Sequence, residues 1–342
     1  MRKTVYIGLI IIASVLTSCG KKSFDVAPTD KYVLKEVVSY HLRFNGQEKA
    51  SQFISGALAK KPDDYATNLI AGFFSMNQGD LENALARYSK AITATTNTEE
   101  LMAALFAKGR TETSLKRYTD AEKTYETLIR DFPERELGYQ GLFSAITLKS
   151  GREQAIQKLE TVAKKSAQTT PYVVLIKSVL EQSDVDAANV YLQKIKELDA
   201  EDKSIAMLQS TIDFAKAFNS VKLKRFDEAR ALIAPLLVSQ PDNLKILSFL
   251  VDLELEAGKL NEAKKVLGQL ESLSPDLPII NLFKGELALK SDDVKVAKQF
   301  FSKAWLNFPS DVSGEKLYKV LGVLNQKPAQ EEHFTKGEAS LS

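Results

Sequence analysis

The sequence predicts an all-α protein, a solenoid of about eight helix-turn-helix repeats, and two regularities carry that expectation. The first is a lattice of alanines, Ala50, Ala84, Ala121, Ala155, Ala188, Ala229, Ala263 and Ala297, spaced by 34, 37, 34, 33, 41, 34 and 34 residues. A near-constant period of this length marks one supersecondary unit copied along the chain. The second is a proline twelve residues after the alanine in five of the eight repeats, at Pro62, Pro133, Pro241, Pro275 and Pro309. With ten prolines in 342 residues, eight arbitrary slots would catch roughly a quarter of one.

The second helix of each repeat is read from the alanine onward. Four residues later stands a large apolar residue: Ile54, Tyr88, Tyr125, Leu159, Leu192, Ile233, Leu267 and Phe301. Seven residues later the position is again apolar, at Ala57, Ala91, Leu128, Val162, Ile195, Leu236, Leu270 and Ala304. Spacings of 0, 4 and 7 define one face of an α-helix. Proline then falls where one helix must stop and the next begin, because it lacks an amide donor and clashes with a preceding turn. The pairs Pro62-Asp63, Pro241-Asp242 and Pro275-Asp276 suit a helix start, with acid favoured at the positive end of the helix dipole.

The first helix is read backwards. Twelve residues before the alanine lie Val38, Gly72, Gly109, Phe143, Ile176, Ala217, Val251 and Gly285, half of them Gly or Ala, which allows two helices to approach closely. Five residues before it, the turn between the helices holds Asn45, Gly79, Ser150, Gly258 and Asp292, all turn formers. Lys116, Ser183 and Lys224 fill the other slots. Over residues 31–310 this pattern resembles the tetratricopeptide repeat, and the best matches are Gly72 with Gly79, Leu81, Ala84, Tyr88 and Ala91, and Gly285 with Ala297, Phe301, Ala304 and Pro309. The resemblance implies a right-handed α-solenoid whose first helices line a concave surface. The interval of 41 between Ala188 and Ala229 adds about two helical turns. It is expected as an overlong first helix or a longer loop, dividing the solenoid into lobes at about 31–200 and 201–325. Gly314 to Leu324, with Leu317, Val320, Leu321 and Leu324 at helical spacing, is expected as a C-terminal capping helix, and 326–342 as a polar, disordered tail.

The N-terminus is of another kind. Arg2 and Lys3 precede an uncharged stretch that is too short to span a bilayer and reads as a signal peptide over 1–18. Leu16-Thr17-Ser18-Cys19 resembles a bacterial lipobox. That resemblance implies cleavage before Cys19, lipidation (palmitate among the acyl chains) of this residue, and anchoring through it. Cys19 is the chain's single cysteine, so no intramolecular disulfide forms. Gly20, rather than Asp, follows it, which among such lipoproteins favours the outer membrane. Residues 19–30 then form a lipidated tether reaching about 35 Å from the bilayer.

Composition and motifs point away from several functions. Once Arg2 and Lys3 leave with the signal, 44 basic side chains balance 44 acidic ones, which is no electrostatic footprint for nucleic acid. The basic run Lys222-Leu223-Lys224-Arg225 falls at a turn and reads as solvated. His41 and His333 fit no metal-ligand spacing, and no phosphate loop, nucleophile elbow or dinucleotide fingerprint is present. His41 and Trp305 read as structural residues. The chain is therefore expected not to be an enzyme, with no cofactor, metal or small-molecule substrate.

Binding to a protein or peptide of the cell envelope is the expectation that remains. In the family the resemblance names, groove positions lie 18, 15, 11, 8 and 7 residues before the lattice alanine. They give Ala66, Leu69, Phe73, Met76 and Asn77 in the second repeat, Ala103, Phe106, Arg110, Thr113 and Ser114 in the third, and Thr211, Phe214, Phe218, Val221 and Lys222 in the sixth. The aromatic and aliphatic members suggest anchors for a helix or peptide, with Arg110 and Asn77 as polar fixings. The alternative is that these side chains pack against neighbouring helices. Leu69 and Phe73, like Phe214 and Phe218, stand where relatives clamping a terminal carboxylate have Lys and Asn, so that mode is not expected. The anchor and repeats together resemble Gram-negative tetratricopeptide lipoproteins, implying a scaffold of a secretion, pilus, outer-membrane biogenesis or exopolysaccharide-export assembly. A second reading is an adaptor or regulator of a cell-wall enzyme.

Overall fold

The computed structural model describes residues 31–307 and Lys316. The expected signal peptide, Cys19, the tether, Pro309, the tail with His333, and the capping segment apart from Lys316 lie outside them. Among the described residues every regular element is helical, and sixteen α-helices form eight consecutive pairs. Pair 1 is α1 (Lys31–Tyr40) and α2 (Gly46–Lys60), joined by a π-turn at His41–Asn45. Pairs 2 to 4 are α3 (Tyr65–Asn77) with α4 (Leu81–Thr93), α5 (Thr98–Ser114) with α6 (Tyr118–Asp131), and α7 (Glu136–Ser150) with α8 (Arg152–Ser166). Pairs 5 and 6 are α9 (Thr170–Glu181) with α10 (Val185–Leu198), and α11 (Ile205–Lys222) with α12 (Phe226–Ser239). Pairs 7 and 8 are α13 (Leu244–Glu256) with α14 (Leu260–Leu273), and α15 (Ile279–Lys290) with α16 (Val294–Asn307).

The alanine lattice is the spine of this array. All eight alanines are buried, and so are the eight residues four positions later and the eight residues twelve positions earlier. A size rule links the last two sets. Where the second helix presents an aromatic ring, the first helix has glycine. A Cβ on Gly72 would lie 2.6 Å from the Tyr88 ring, on Gly109 2.7 Å from Tyr125, and on Gly285 2.4 Å from Phe301. Where the second helix presents an aliphatic residue, the first helix fills the space instead, as in Val38 with Ile54, Ala217 with Ile233 and Val251 with Leu267. The slot is glycine only where its partner is aromatic, as close packing demands. At the third position of the pattern seven residues are buried; in pair 4 Val162 is half-buried and Ala163 takes the core place.

The turns inside the pairs share one construction. In six pairs the residue five before the alanine has positive φ: Gly79 (78°), Lys116 (60°), Ser183 (60°), Lys224 (58°), Gly258 (72°) and Asp292 (60°). The next residue's N–H donates back to the carbonyl five residues earlier, as in Asp80 to Ser75 (2.9 Å), Arg117 to Glu112 (2.9 Å) and Lys259 to Glu254 (2.9 Å). This is a Schellman closure, with a left-handed residue ending the helix. Lys116, Ser183 and Lys224 therefore do the same job as the glycines despite their side chains. In pairs 1 and 4 the positive φ moves one residue on, to Gly46 and Gly151.

Between pairs, the Pro-Asp steps lie just before the helix rather than in its first turn. Asp64 caps α3 by accepting from Thr67 N–H at 2.9 Å, and Asn243 caps α13 by accepting from Lys245 and Ile246 N–H at 3.0 and 3.3 Å. Within each unit, helices adjacent in the chain pack on one another, as α3 on α4, α5 on α6 and α13 on α14 do, and first helices of successive pairs also touch (α1 on α3, α5 on α7, α13 on α15). Such nearest-neighbour packing of a repeated unit is that of an α-solenoid. Two compact units are present, one ending at Leu175 and one beginning at Ile176, within α9. The long interval near residue 200, expected as an overlong first helix or a longer loop, holds both: the 18-residue α11 and a loop in which Asp202 accepts from Ser204 N–H at 2.7 Å.

Candidate binding surface

Because successive first helices touch, their groove positions form one surface within each unit. In the N-terminal unit that face holds the best exposed apolar side chains of the repeat pattern. Phe73 is 53% exposed on α3, and Leu148 is 60% exposed near the end of α7. Leu69 is half-buried against Tyr65, Ala66, Ala91 and Ala104. Met76 is half-buried too, with the Thr111 hydroxyl 3.9 Å from its sulfur, while Asn77 is exposed. Phe106 is half-buried, its ring centroid 6.2 Å from that of Tyr125, and the exposed Arg110 holds its guanidinium carbon 6.0 Å from the Phe106 centroid.

The expected residues thus divide. Phe73, Asn77 and Arg110 present themselves to solvent; Leu69, Met76 and Phe106 are shared between surface and core; Ala66 is buried. Two tyrosine hydroxyls lie beneath this face. Burial pushes the Tyr88 hydroxyl up to about 12, with the Arg110 charge acting against it. Burial likewise raises Tyr125, opposed by a hydrogen bond with Thr113 and by Arg110.

In the C-terminal unit, Phe214 and Phe218 form an aromatic cluster with the buried Phe249, at centroid distances of 5.0 and 6.4 Å. Phe218 is 43% exposed, whereas Phe214 is half-buried. Lys222 and Lys245 place their ammonium groups 4.5 Å from the Phe218 centroid and 5.0 Å from the Phe214 centroid, within cation–π range. Leu148, Lys245 and Phe249 were not singled out from the sequence. The first two sit at groove positions of pairs 4 and 7, so extending the same register to every repeat finds them.

Other candidates resolve into structural roles. His41 is half-buried between Tyr40 and Phe53, at 5.7 and 5.8 Å, and burial, then Lys49, lowers its pKa. Trp305 is half-buried on α16. Lys224 and Arg225 edge an open cleft of about 370 Å³ that Asp227, Glu228 and Arg230 also line, a mixed-charge turn rather than a basic patch. No group of three or more His, Cys, Asp or Glu side chains among the described residues is placed to hold a metal ion.

Residues 75–136 match the family model of the tetratricopeptide repeat. These residues are similar to tetratricopeptide repeats. They contain the turn, lattice alanine and aromatic of pairs 2 and 3, together with Phe106 and Arg110. Repeats of this kind build protein–protein interaction scaffolds. No curated protein matches the sequence. Among solved structures, a tetratricopeptide repeat protein from Parabacteroides merdae ATCC 43184 is 18% identical, with 85% of this chain and 98% of that one covered and a TM-score of 0.44. The APC/C heterotetramer Cut9–Hcn1 is 14% identical over 86% and 64%, at 0.43, and PilW, a type IV pilus biogenesis factor, is 14% identical over 86% and 99%, at 0.30. Scores this low say nothing about function.

Proposed function

We propose that this protein is a non-catalytic scaffold of the bacterial cell envelope, anchored through lipid on Cys19 to the periplasmic face of the outer membrane. On this reading it holds a protein partner on its first-helix face. The observation that supports binding there is the exposure of Phe73, at 53%, on a helix whose other large side chains are half-buried or buried. An aromatic ring left in water at a repeated surface position is the type of side chain that dominates binding energy once a partner covers it. The anchor rests on the Leu16-Thr17-Ser18-Cys19 motif.

A photo-crosslinking amino acid at position 73, expressed in the native host with Cys19 intact, tests the two parts together. A discrete adduct with an envelope protein, absent when the same group replaces the outward-facing Lys123, supports the scaffold. Equal adducts at both positions would remove the first-helix face from consideration. Cys19→Ala should release the protein from the outer-membrane fraction and abolish labelling by a palmitate analogue; unchanged labelling would refute the anchor.

A further inference from the structure

Charge of one sign only marks the first-helix face of the N-terminal unit. Across pairs 1 to 4 the groove positions supply Lys35, Arg43 and Arg110 and no carboxylate. Elsewhere on that unit, four basic side chains make close ion pairs: Arg117 with Glu82 at 2.6 Å, Arg135 with Glu99 at 2.6 Å, Lys149 with Glu122 at 2.7 Å, and Lys158 with Glu126 at 2.8 Å. Arg110 differs. Among the described residues its guanidinium forms no ion pair and no hydrogen bond, resting instead on the Phe106 ring.

A second observation lies below it. Tyr88 is fully buried, and its hydroxyl has no hydrogen-bond partner among the described residues. A buried hydroxyl without a partner is costly, and few are left so in folded proteins. The Arg110 charge is close enough to oppose the upward push that burial gives this hydroxyl. An unpaired guanidinium, a hydroxyl in want of a partner, and exposed Phe73 and Leu148 on either side form one chemical pattern.

We propose that this face takes a partner segment in which a carboxylate is flanked by large apolar side chains. Arg110 receives the carboxylate, and Phe73 and Leu148 receive the apolar neighbours. This rests on the reading of the first-helix face as the protein-binding surface and specifies the chemistry of its partner. The guanidinium fork matches a carboxylate in two-point geometry, and the pair strengthens when flanking apolar groups exclude water. The spacing is feasible, because neighbouring helix axes stand about 10 Å apart, a distance that about three residues of extended chain span.

The test is a selection of random twelve-residue peptides displayed on phage against the whole immobilised protein. The expected consensus has Asp or Glu within three residues of aromatic or aliphatic side chains. Arg110→Glu should change the selected charge to Lys or Arg, and Arg110→Gln should weaken the selected peptides on the order of ten-fold. Arg110 is exposed and forms no ion pair or side-chain hydrogen bond among the described residues, so both variants should melt close to wild type. Peptides lost on Phe73→Ala that show no acidic preference, or keep it in Arg110→Glu, would overturn this inference and leave the surface intact. Peptides indifferent to Phe73→Ala and Arg110→Glu would overturn both, and an empty selection would overturn the inference as well.

Discussion

In the N-terminal unit the first-helix face carries Lys35, Arg43 and Arg110 without an acid, whereas pairs 6 to 8 set Lys222, Lys245 and Lys290 against Asp252, Glu256 and Glu286. The C-terminal face settles its charges internally. Lys290 lies 3.8 Å from Glu256, Lys316 pairs with Glu286, and Lys222 and Lys245 rest on phenylalanine rings. Beneath both faces the core is the same, with a buried alanine, the residue four later and the residue twelve earlier repeated in each unit. Packing fixes the inner positions of a first helix and leaves the outer ones free, so two copies of one scaffold can present different chemistry. A face whose charges already have partners gains little from a charged ligand. A face with an unpaired guanidinium gains more.

The largest expected effect comes from a buried position where the two units also diverge. Nine residues before the lattice alanine stand Glu112 in one unit and Glu254 in the other, 4% and 5% exposed. Glu254 accepts two hydrogen bonds from Arg230, at 2.8 and 2.7 Å. Glu112 accepts one from the Thr124 hydroxyl at 2.7 Å and has Lys108 at 3.4 Å. Arg230→Ala strands a buried carboxylate and should cost about 3–5 kcal/mol. Thr124→Val removes one hydrogen bond while Lys108 stays, and should cost about 1–3 kcal/mol. Denaturant unfolding reads both, and equal losses would show that the two carboxylates are held equally well.

Next in size is a substitution that should act alike in both units. Gly109→Ala and Gly285→Ala each drive a Cβ into a buried ring, and such overpacking costs about 1–3 kcal/mol. Adding Phe301→Leu to Gly285→Ala should return part of the loss, because pairs with an aliphatic residue there tolerate Ala217 or Val251 at the matching slot. Gly268, with nothing within 4 Å of its added Cβ, is the control, and Gly268→Ala should stabilise by about 0.5–1 kcal/mol. If Gly109→Ala is harmless and Gly285→Ala is not, the shared core is not shared.

The repeat and its register were legible in the sequence because close packing acts on every copy. Eight buried alanines leave a periodic trace that no single repeat could give. The size rule was half legible: the glycines stood out, but their link to Tyr88, Tyr125 and Phe301 needed the helices to be brought together. Surface residues such as Phe73 and Arg110 were placed correctly on the first helix, since register alone determines that. How far each is covered was not, because coverage depends on neighbouring helices, and so Phe106 is half-buried on Tyr125 while Phe73 is not. The unpartnered Tyr88 hydroxyl left no sequence signal, for a tyrosine in that slot looks like any other core aromatic.

A smaller effect probes the compensated face through pH. Burial, then Glu256, raises the pKa of Asp252 above its ordinary 3.8, while Lys316 and Lys290 pull it down. A carboxyl with a raised folded-state pKa resists ionisation. Its environment costs nothing below about pH 3.8, and stability falls as pH rises through the folded value. Asp252→Asn should therefore be more stable than wild type at neutral pH, by an amount that vanishes in acid. A gain that persists unchanged at pH 3 would place its cause elsewhere. The N-terminal face, lacking any acid, should show no counterpart in the same pH range.

The smallest effect tests whether the turns are equivalent in the two units. Lys116 and Lys224 occupy matching left-handed slots, at φ of 60° and 58°, where pairs 2 and 7 have Gly79 and Gly258. An L side chain in that conformation costs roughly 1–2 kcal/mol, against roughly 0.5–1 kcal/mol of unfolded-chain entropy that glycine adds. Lys116→Gly and Lys224→Gly should each stabilise the protein by about 0.5–1 kcal/mol, and by the same amount, since each residue follows the same backbone closure to Glu112 or Ser220. Neither lysine is part of a salt bridge in its turn, so the gain should not depend on ionic strength. A gain for one and a loss for the other in chemical denaturation would mean that the turns, like the faces, have diverged between the units.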